Sequence, residues 1–146
     1  MMKLESLTLN SLNARGLGDN KKRRCIFQWL KQFHEGITFL QETHTTQGVE
    51  NKWKNEWGSR IEFSHGTYGS RGVAILFPKR LDVCINHKIV DNDGRFILLD
   101  LIIEDIQLTL VNIYAPTKDN INAQLEFIDN IQNILDGYQD KNIIVG

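Results

Sequence analysis

Two apolar runs, Phe96 to Ile103 and Ile106 to Tyr114, stand on either side of Glu104-Asp105 with nothing else between them. Runs of this kind across so short a gap read as two strands of an antiparallel hairpin. A lone hairpin is marginal in water, so the rest of the chain has to cover it. The chain has 146 residues, enough for one domain. At that size a compact domain buries roughly 70% of its unfolded surface.

The remaining pattern alternates between extended and helical spacing. Leu4, Leu7, Leu9 and Leu12 mark a first strand. Gly16 to Asn20 is a loop, with Asp19 or Asn20 placed to cap a helix carrying Ile26, Phe27, Leu30 and Phe33 and ended by Gly36. Ile37 to Leu40 is a short buried strand. Val49 to Trp57 is a short helix ending at Gly58, and Ile61 to Phe63 is a strand. Val73 to Phe77 is a central strand stopped by Pro78. Leu81, Val83 and Ile85 alternate as in a half-buried strand, and Asp91 to Gly94 is a turn. Ile121, Leu125, Ile128, Ile131 and Leu135 predict an amphipathic helix closed by Gly137. Ile143 to Val145 starts one more strand before the chain stops at Gly146. An apolar strand at the very end is the mark of a truncated domain, so residues 1–146 are expected to be the N-terminal part of a single domain.

Seventeen Lys and Arg against eighteen Asp and Glu leave a net charge of −1, so any electrostatic argument must be local. Cys25 and Cys84 lie too far apart for a CxxC motif and read as free thiols. No signal-peptide pattern or membrane-length apolar stretch is present, which predicts a soluble, intracellular protein with no membrane partner.

In open sheets, functional groups gather beyond strand ends. Asn13, Glu42 and Tyr114 occupy such positions. Each also has an ordinary reading, as a turn residue, a solvated strand end and a core ring. Lys21-Lys22-Arg23-Arg24 fills the first turn of a helix, where cations oppose the helix dipole. A bound polyanion would offset that cost; a solvated face is the ordinary alternative. Arg71, in the loop before the central strand, is a second candidate for a phosphate contact. Trp53 and Trp57, interleaved with Lys52 and Lys54, are placed to pack on a sheet. His65 and His87 read as surface residues.

The order of the motifs adds what no single residue provides. Ser11-Leu12-Asn13-Ala14-Arg15-Gly16-Leu17, Phe39-Leu40-Gln41-Glu42-Thr43-His44, Gly72-Val73-Ala74-Ile75-Leu76 and Leu110-Val111-Asn112-Ile113-Tyr114-Ala115-Pro116 follow one another across the chain. Together they resemble the endonuclease/exonuclease/phosphatase superfamily, and within it the apurinic-type endonuclease domain of non-LTR (LINE-type) retrotransposon polyproteins. The resemblance implies an α/β fold, a two-sheet sandwich of the DNase I-like type flanked by helices, of which this chain would supply the first sheet and part of the second. It implies magnesium-dependent nicking of DNA, with Mn²⁺ as a substitute metal, no small-molecule cofactor, and fusion to a reverse transcriptase.

Carried over by position, Glu42 matches the magnesium-ligand glutamate, in keeping with a hard cation that is held by one or two carboxylates, water and substrate phosphate. Asn13 matches the asparagine that positions metal and phosphate, and Tyr114 the tyrosine beside the cleaved bond. Arg15 stands where similar repair enzymes carry an acidic residue; it cannot bind a cation and instead suits a DNA phosphate. Arg15, Arg71, Lys21 and Lys22 are thus the expected nucleic-acid contacts. The family's later Gly-Asp-x-Asn motif and Asp-His pair find no match here, Gly146 being the glycine that would open the first. The chain alone is therefore expected to be inactive and prone to association. A superfamily phosphodiesterase acting on inositol phosphates, sphingolipids or RNA, and a non-catalytic fragment that only binds nucleic acid, are the competing readings.

Overall fold

The computed structural model describes residues 6–117, 119–139 and 141–146. Leu4 of the expected first strand and Asp140 lie outside them. Strand β1 (Leu9–Asn13) leads through helix α1 (Asn20–Phe33) to β2 (Ile37–Gln41), then through a 3₁₀ turn (Gln47–Val49) and helix α2 (Glu50–Trp57) to β3 (Ile61–Ser64) and β4 (Val73–Leu76). These strands form one sheet, ordered β1-β2-β4-β3. The second sheet, β5-β6-β7-β8, is built from β5 (Val83–Val90), β6 (Phe96–Ile103), β7 (Ile106–Ile113) and β8 (Ile143–Val145), with helix α3 (Ile121–Asp136) between the last two. Among the described residues no helix is long and apolar enough to cross a membrane.

The hairpin forms as its spacing predicts. β6 and β7 pair antiparallel from Phe96↔Ile113 to Ile103↔Ile106. Glu104 (φ 48°) and Asp105 (φ 70°) both take left-handed backbone, the type I′ geometry that matches the twist of paired strands. β5 pairs with β6, and β8 pairs parallel with β7.

The two sheets face each other across a core of Ile37, Phe39, Val73, Ile75, Leu99, Leu101 and Leu110 and their neighbours. On the outer face of the first sheet, Phe27, Leu30, Trp53 and Trp57 pack onto Leu40, Ala74, Ile61 and Phe63. Both tryptophans therefore serve packing: Phe27 meets them edge-on, with ring centroids 5.6 and 5.4 Å away. β2 and β4 are buried along their whole length because helices cover one face and the second sheet the other.

Helix α3 departs from its expected register. Ile121, Leu125 and Ile128 are exposed, and no residue of the helix is fully buried. Only its last turns reach the second sheet, through Ile131, Ile134 and Leu135 with Tyr138 beyond them. Its first turns stand off across a groove of about 590 Å³ lined by Arg71, Arg95, Pro116 and Phe127 among others. A helix touching its support over half its length leaves the other half of an apolar stripe in water.

The basic run at the start of α1 also divides. Asp19 caps the helix by accepting from Lys22 N at 2.7 Å. Arg23 turns inward and is buried, pairing with Glu56 through Nε–Oε2 (2.6 Å) and Nη2–Oε1 (2.9 Å). Arg23 is thus withdrawn from the surface cluster that the sequence suggested. Both cysteines are free and exposed.

Candidate active site

Strand register alone brings the first two site residues together. β1 and β2 run parallel with Asn13 opposite Gln41, so Glu42 emerges beside Asn13. The pairing then continues through the loops. Gly16 N donates to Glu42 O (2.7 Å) and Leu17 N to Thr43 O (3.1 Å). Thr43 N and His44 N donate to Gly72 O and Arg71 O, and Gly72 N donates to Gly94 O in the turn before β6. This ladder supports a cluster of left-handed residues: Arg15, Glu42, His44 and Arg71, with φ between 49° and 61°. Such backbone costs roughly 1–3 kcal/mol per residue and persists only where surrounding bonds impose it. Glycine is required at two points. Gly16 (φ 83°) carries no Cβ where one would lie 2.6 Å from His44 Nδ1, and Gly72 (φ 90°) leaves room for the Thr43 hydroxyl.

Tyr114 arrives from the other sheet, just beyond β7. Its ring is fixed by Arg95, which lies 5.4 Å from the ring centroid and donates to Tyr114 O at 3.2 Å. Its hydroxyl donates to Glu42 Oε1 at 2.9 Å, and Asn13 Nδ2 donates to the same oxygen at 2.9 Å. Asn13 Oδ1 accepts from Arg15 N (3.1 Å), which fixes the amide's orientation. Glu42 Oε2 takes no hydrogen bond from the described residues and faces His44 Nε2 at 3.8 Å. The three residues singled out in the sequence therefore meet on one carboxylate.

The electrostatics follow from these bonds. The Asn13 hydrogen bond holds the Glu42 carboxyl below the usual glutamate range, outweighing partial burial, with help from Tyr114, His44 and Arg15. Burial pushes the Tyr114 phenol up, as does its bond to Glu42. At neutral pH the site thus holds an ionised carboxylate and a phenol that keeps its proton.

The expected nucleic-acid contacts are distributed differently. Arg15 and Lys21 are exposed. Lys22 Nζ donates to Ala14 O (2.8 Å), Arg15 O (3.2 Å) and Gly16 O (2.8 Å), so its ammonium tethers the loop after Asn13. Arg71 pairs loosely with exposed Asp93 (3.6 Å), and its buried Nε has no partner among the described residues. His65 is not the surface residue the sequence suggested. It stacks on Phe63, contacts Glu50 Oε1 at 2.6 Å and reaches Thr45 Oγ1 at 3.1 Å. His44, the last residue of the Gln41-Glu42-Thr43-His44 motif, lies beside the second oxygen of Glu42, whereas Asn112, a lone amide inside an apolar strand, carried no usable signal in its spacing.

A transposon TX1 protein of 149 kDa from Xenopus laevis is 29% identical over 140 residues, covering 90% of this chain and 11% of that protein. TDP2 from Caenorhabditis elegans superposes with a TM-score of 0.64 at 21% identity, covering 94% of this chain and 45% of the other. The endonuclease domain of TRAS1, a telomere-specific non-LTR retrotransposon, gives 0.60 at 14% identity, covering 97% and 57%. The chain thus spans about half of those two solved structures and a small part of the transposon protein. Its fold is the DNase I-like two-sheet α/β sandwich. With Glu42, Asn13 and Tyr114 converging where the two sheets meet and residues 7–145 matching the family's sequence model, the chain belongs to the endonuclease/exonuclease/phosphatase family.

Proposed function

We propose that this chain is part of a retroelement endonuclease that nicks one DNA strand in a reaction dependent on Mg²⁺, with Mn²⁺ as a substitute. The convergence of Asn13 and Tyr114 on a single oxygen of Glu42 carries this reading, because it leaves the other oxygen without a hydrogen bond from the described residues, with only His44 Nε2 at 3.8 Å beside it, and so open to a cation. The donor set fits a hard ion: Glu42 Oε2 is an ionised oxygen without a hydrogen bond from the described residues, and Asn13 carries a neutral oxygen, Oδ1, that accepts among them only from Arg15 N. Among the described residues no group of three or more His, Cys, Asp or Glu side chains is placed to hold a metal, so water and substrate phosphate would complete the shell. A bound Mg²⁺ would supply charge stabilisation at the phosphate oxygens. Asn13 orients the carboxylate, and the single proton of the Tyr114 hydroxyl, which rests on Glu42 Oε1, would turn to the phosphate as charge develops there. The group that activates water is assigned to residues outside this chain, which on this reading is the N-terminal part of the domain and inactive by itself.

The relatives support DNA as substrate, one being a transposon protein and another the endonuclease domain of a retrotransposon. Fusion to a reverse transcriptase belongs to the same proposal. The test is an assay of the whole protein on supercoiled plasmid, with RNA, inositol-phosphate and sphingolipid substrates alongside. Open circles formed with Mg²⁺ and not with EDTA are expected; hydrolysis confined to the other substrates would overturn the proposal.

Arg15, Arg71 and Lys21 are proposed to meet the DNA backbone, since Lys22 directs its ammonium to three carbonyls. Arg15→Ala and Arg71→Ala should each reduce the slope of log K against log salt by about one unit, as loss of one phosphate contact requires. Filter binding across a salt series measures this, and unchanged slopes would make both residues ordinary surface charges.

A further inference from the structure

Tyr114 and Glu42 belong to different sheets, yet their bond of 2.9 Å demands that the sheets be held to within a few tenths of an ångström. The apolar core between them cannot supply this by itself, because hydrophobic contact is not directional. One buried side chain is. Asn112 lies on β7, two residues before Tyr114 and on the same face, and is fully buried. Its Nδ2 donates to Leu40 O on β2 and Ala74 O on β4, both at 2.9 Å. Its Oδ1 accepts from Gln41 Nε2 at 2.8 Å. Gln41 directly precedes Glu42, is itself buried, and also reaches Ser11 on β1 (3.2 Å).

We infer that Asn112 is a positioning residue: its amide bolts the second sheet to the first one step behind the site and thereby sets the Tyr114 hydroxyl on Glu42. Both N–H groups and the carbonyl of the amide are used, and each partner lies within two residues of a site residue or on the strand paired with β2. Removing the amide leaves two backbone carbonyls and the Gln41 side chain buried without it, and the polar bonds that still join the sheets, such as Gly72 N to Gly94 O, Ser64 Oγ to Asp91 Oδ1 and Lys88 Nζ to Glu62 Oε2, are not made by β7, the strand that leads into Tyr114. The inference rests on reading Glu42 and Tyr114 as the working pair. Its test needs no catalysis, so a failure of the nicking assay and a failure here are separate results.

The test follows the ¹³Cζ resonance of Tyr114 in protein labelled at tyrosine, assigned by its loss in Tyr114→Phe. Glu42→Gln gives the position of the phenol without its carboxylate acceptor. In Asn112→Leu, folded by circular dichroism, the resonance is expected to move at least half of the way from the wild-type position to that reference. An Asn112 that only stabilises the fold would lower the melting temperature and leave the resonance in place, and that result overturns the inference. Should Asn112→Leu fail to fold, Gln41→Leu decides. It removes one of the three bonds, so a smaller movement in the same direction is expected, and none would overturn the inference.

Discussion

Glu42→Gln in the whole protein should abolish metal-dependent nicking, with a rate loss of at least about 10²-fold, the scale seen when one electrostatic group is removed from a reacting centre. The substitution keeps volume and removes charge. Asn13 still finds an amide oxygen to donate to, so the loop has no reason to collapse. The lost feature is the ionised Oε2, which takes no hydrogen bond from the described residues and is the proposed metal contact. The acid side of the pH profile provides a second check. Asn13 leads the interactions that lower the Glu42 pKa, so the group keeps its charge to lower pH than an ordinary glutamate. Its contribution to stability is present above the unfolded-state pKa and is lost only as pH falls through the lower folded value. Wild-type activity should therefore persist into mildly acidic buffer. A variant with full activity and the same metal requirement would remove Glu42 from the mechanism.

The sequence was most readable where local patterns and final environment agree. Two apolar runs around Glu104-Asp105 make a hairpin because the turn and both strands share one preference. Asp19 caps α1 as a helix-initiating aspartate should. Asn13, Glu42 and Tyr114 were recoverable because strand ends are where a sheet presents polar groups, and motif order tied three such ends together. What escaped was decided by contacts between distant elements. Asn112 reaches residues about seventy positions away, and no period in the chain announces that a lone amide will face three backbone and side-chain partners. His65 turned inward because Phe63, Glu50 and Thr45 enclose it. Helix α3 kept its predicted span, but its apolar stripe meets the sheet only through the last turns, a matter of docking angle that the stripe does not encode.

Arg23→Ala should be as damaging as truncating a core aromatic, costing about 3–5 kcal/mol, the usual result of breaking a buried ion pair from one side. In a run of four cations it looks like one more surface charge. The structure gives it a different role. Its side chain is 2% exposed against 14% for Glu56, which it grips with two hydrogen bonds. Further donors reach Leu17 O (2.9 Å), Gly18 O (3.4 Å) and Asn20 Oδ1 (2.7 Å), and the guanidinium lies 5.4 Å from the Trp53 ring centroid. One residue thus ties the loop after β1 to α2, and truncation leaves a buried carbonyl without its partner and the partly buried Glu56 carboxylate with only the looser contact to exposed Arg24 at 3.7 Å. Urea unfolding should show a lower midpoint at unchanged slope. The pH dependence has a definite sign. The Arg23 hydrogen bonds hold Glu56 below its ordinary pKa against partial burial, so the pair stabilises above the unfolded-state pKa and fades as pH falls through the folded one. Arg23→Ala should flatten that acid limb as well as lower the plateau. A loss under about 1 kcal/mol, the value expected of an exposed pair, would mean that this guanidinium is solvated and the loop is held by something else.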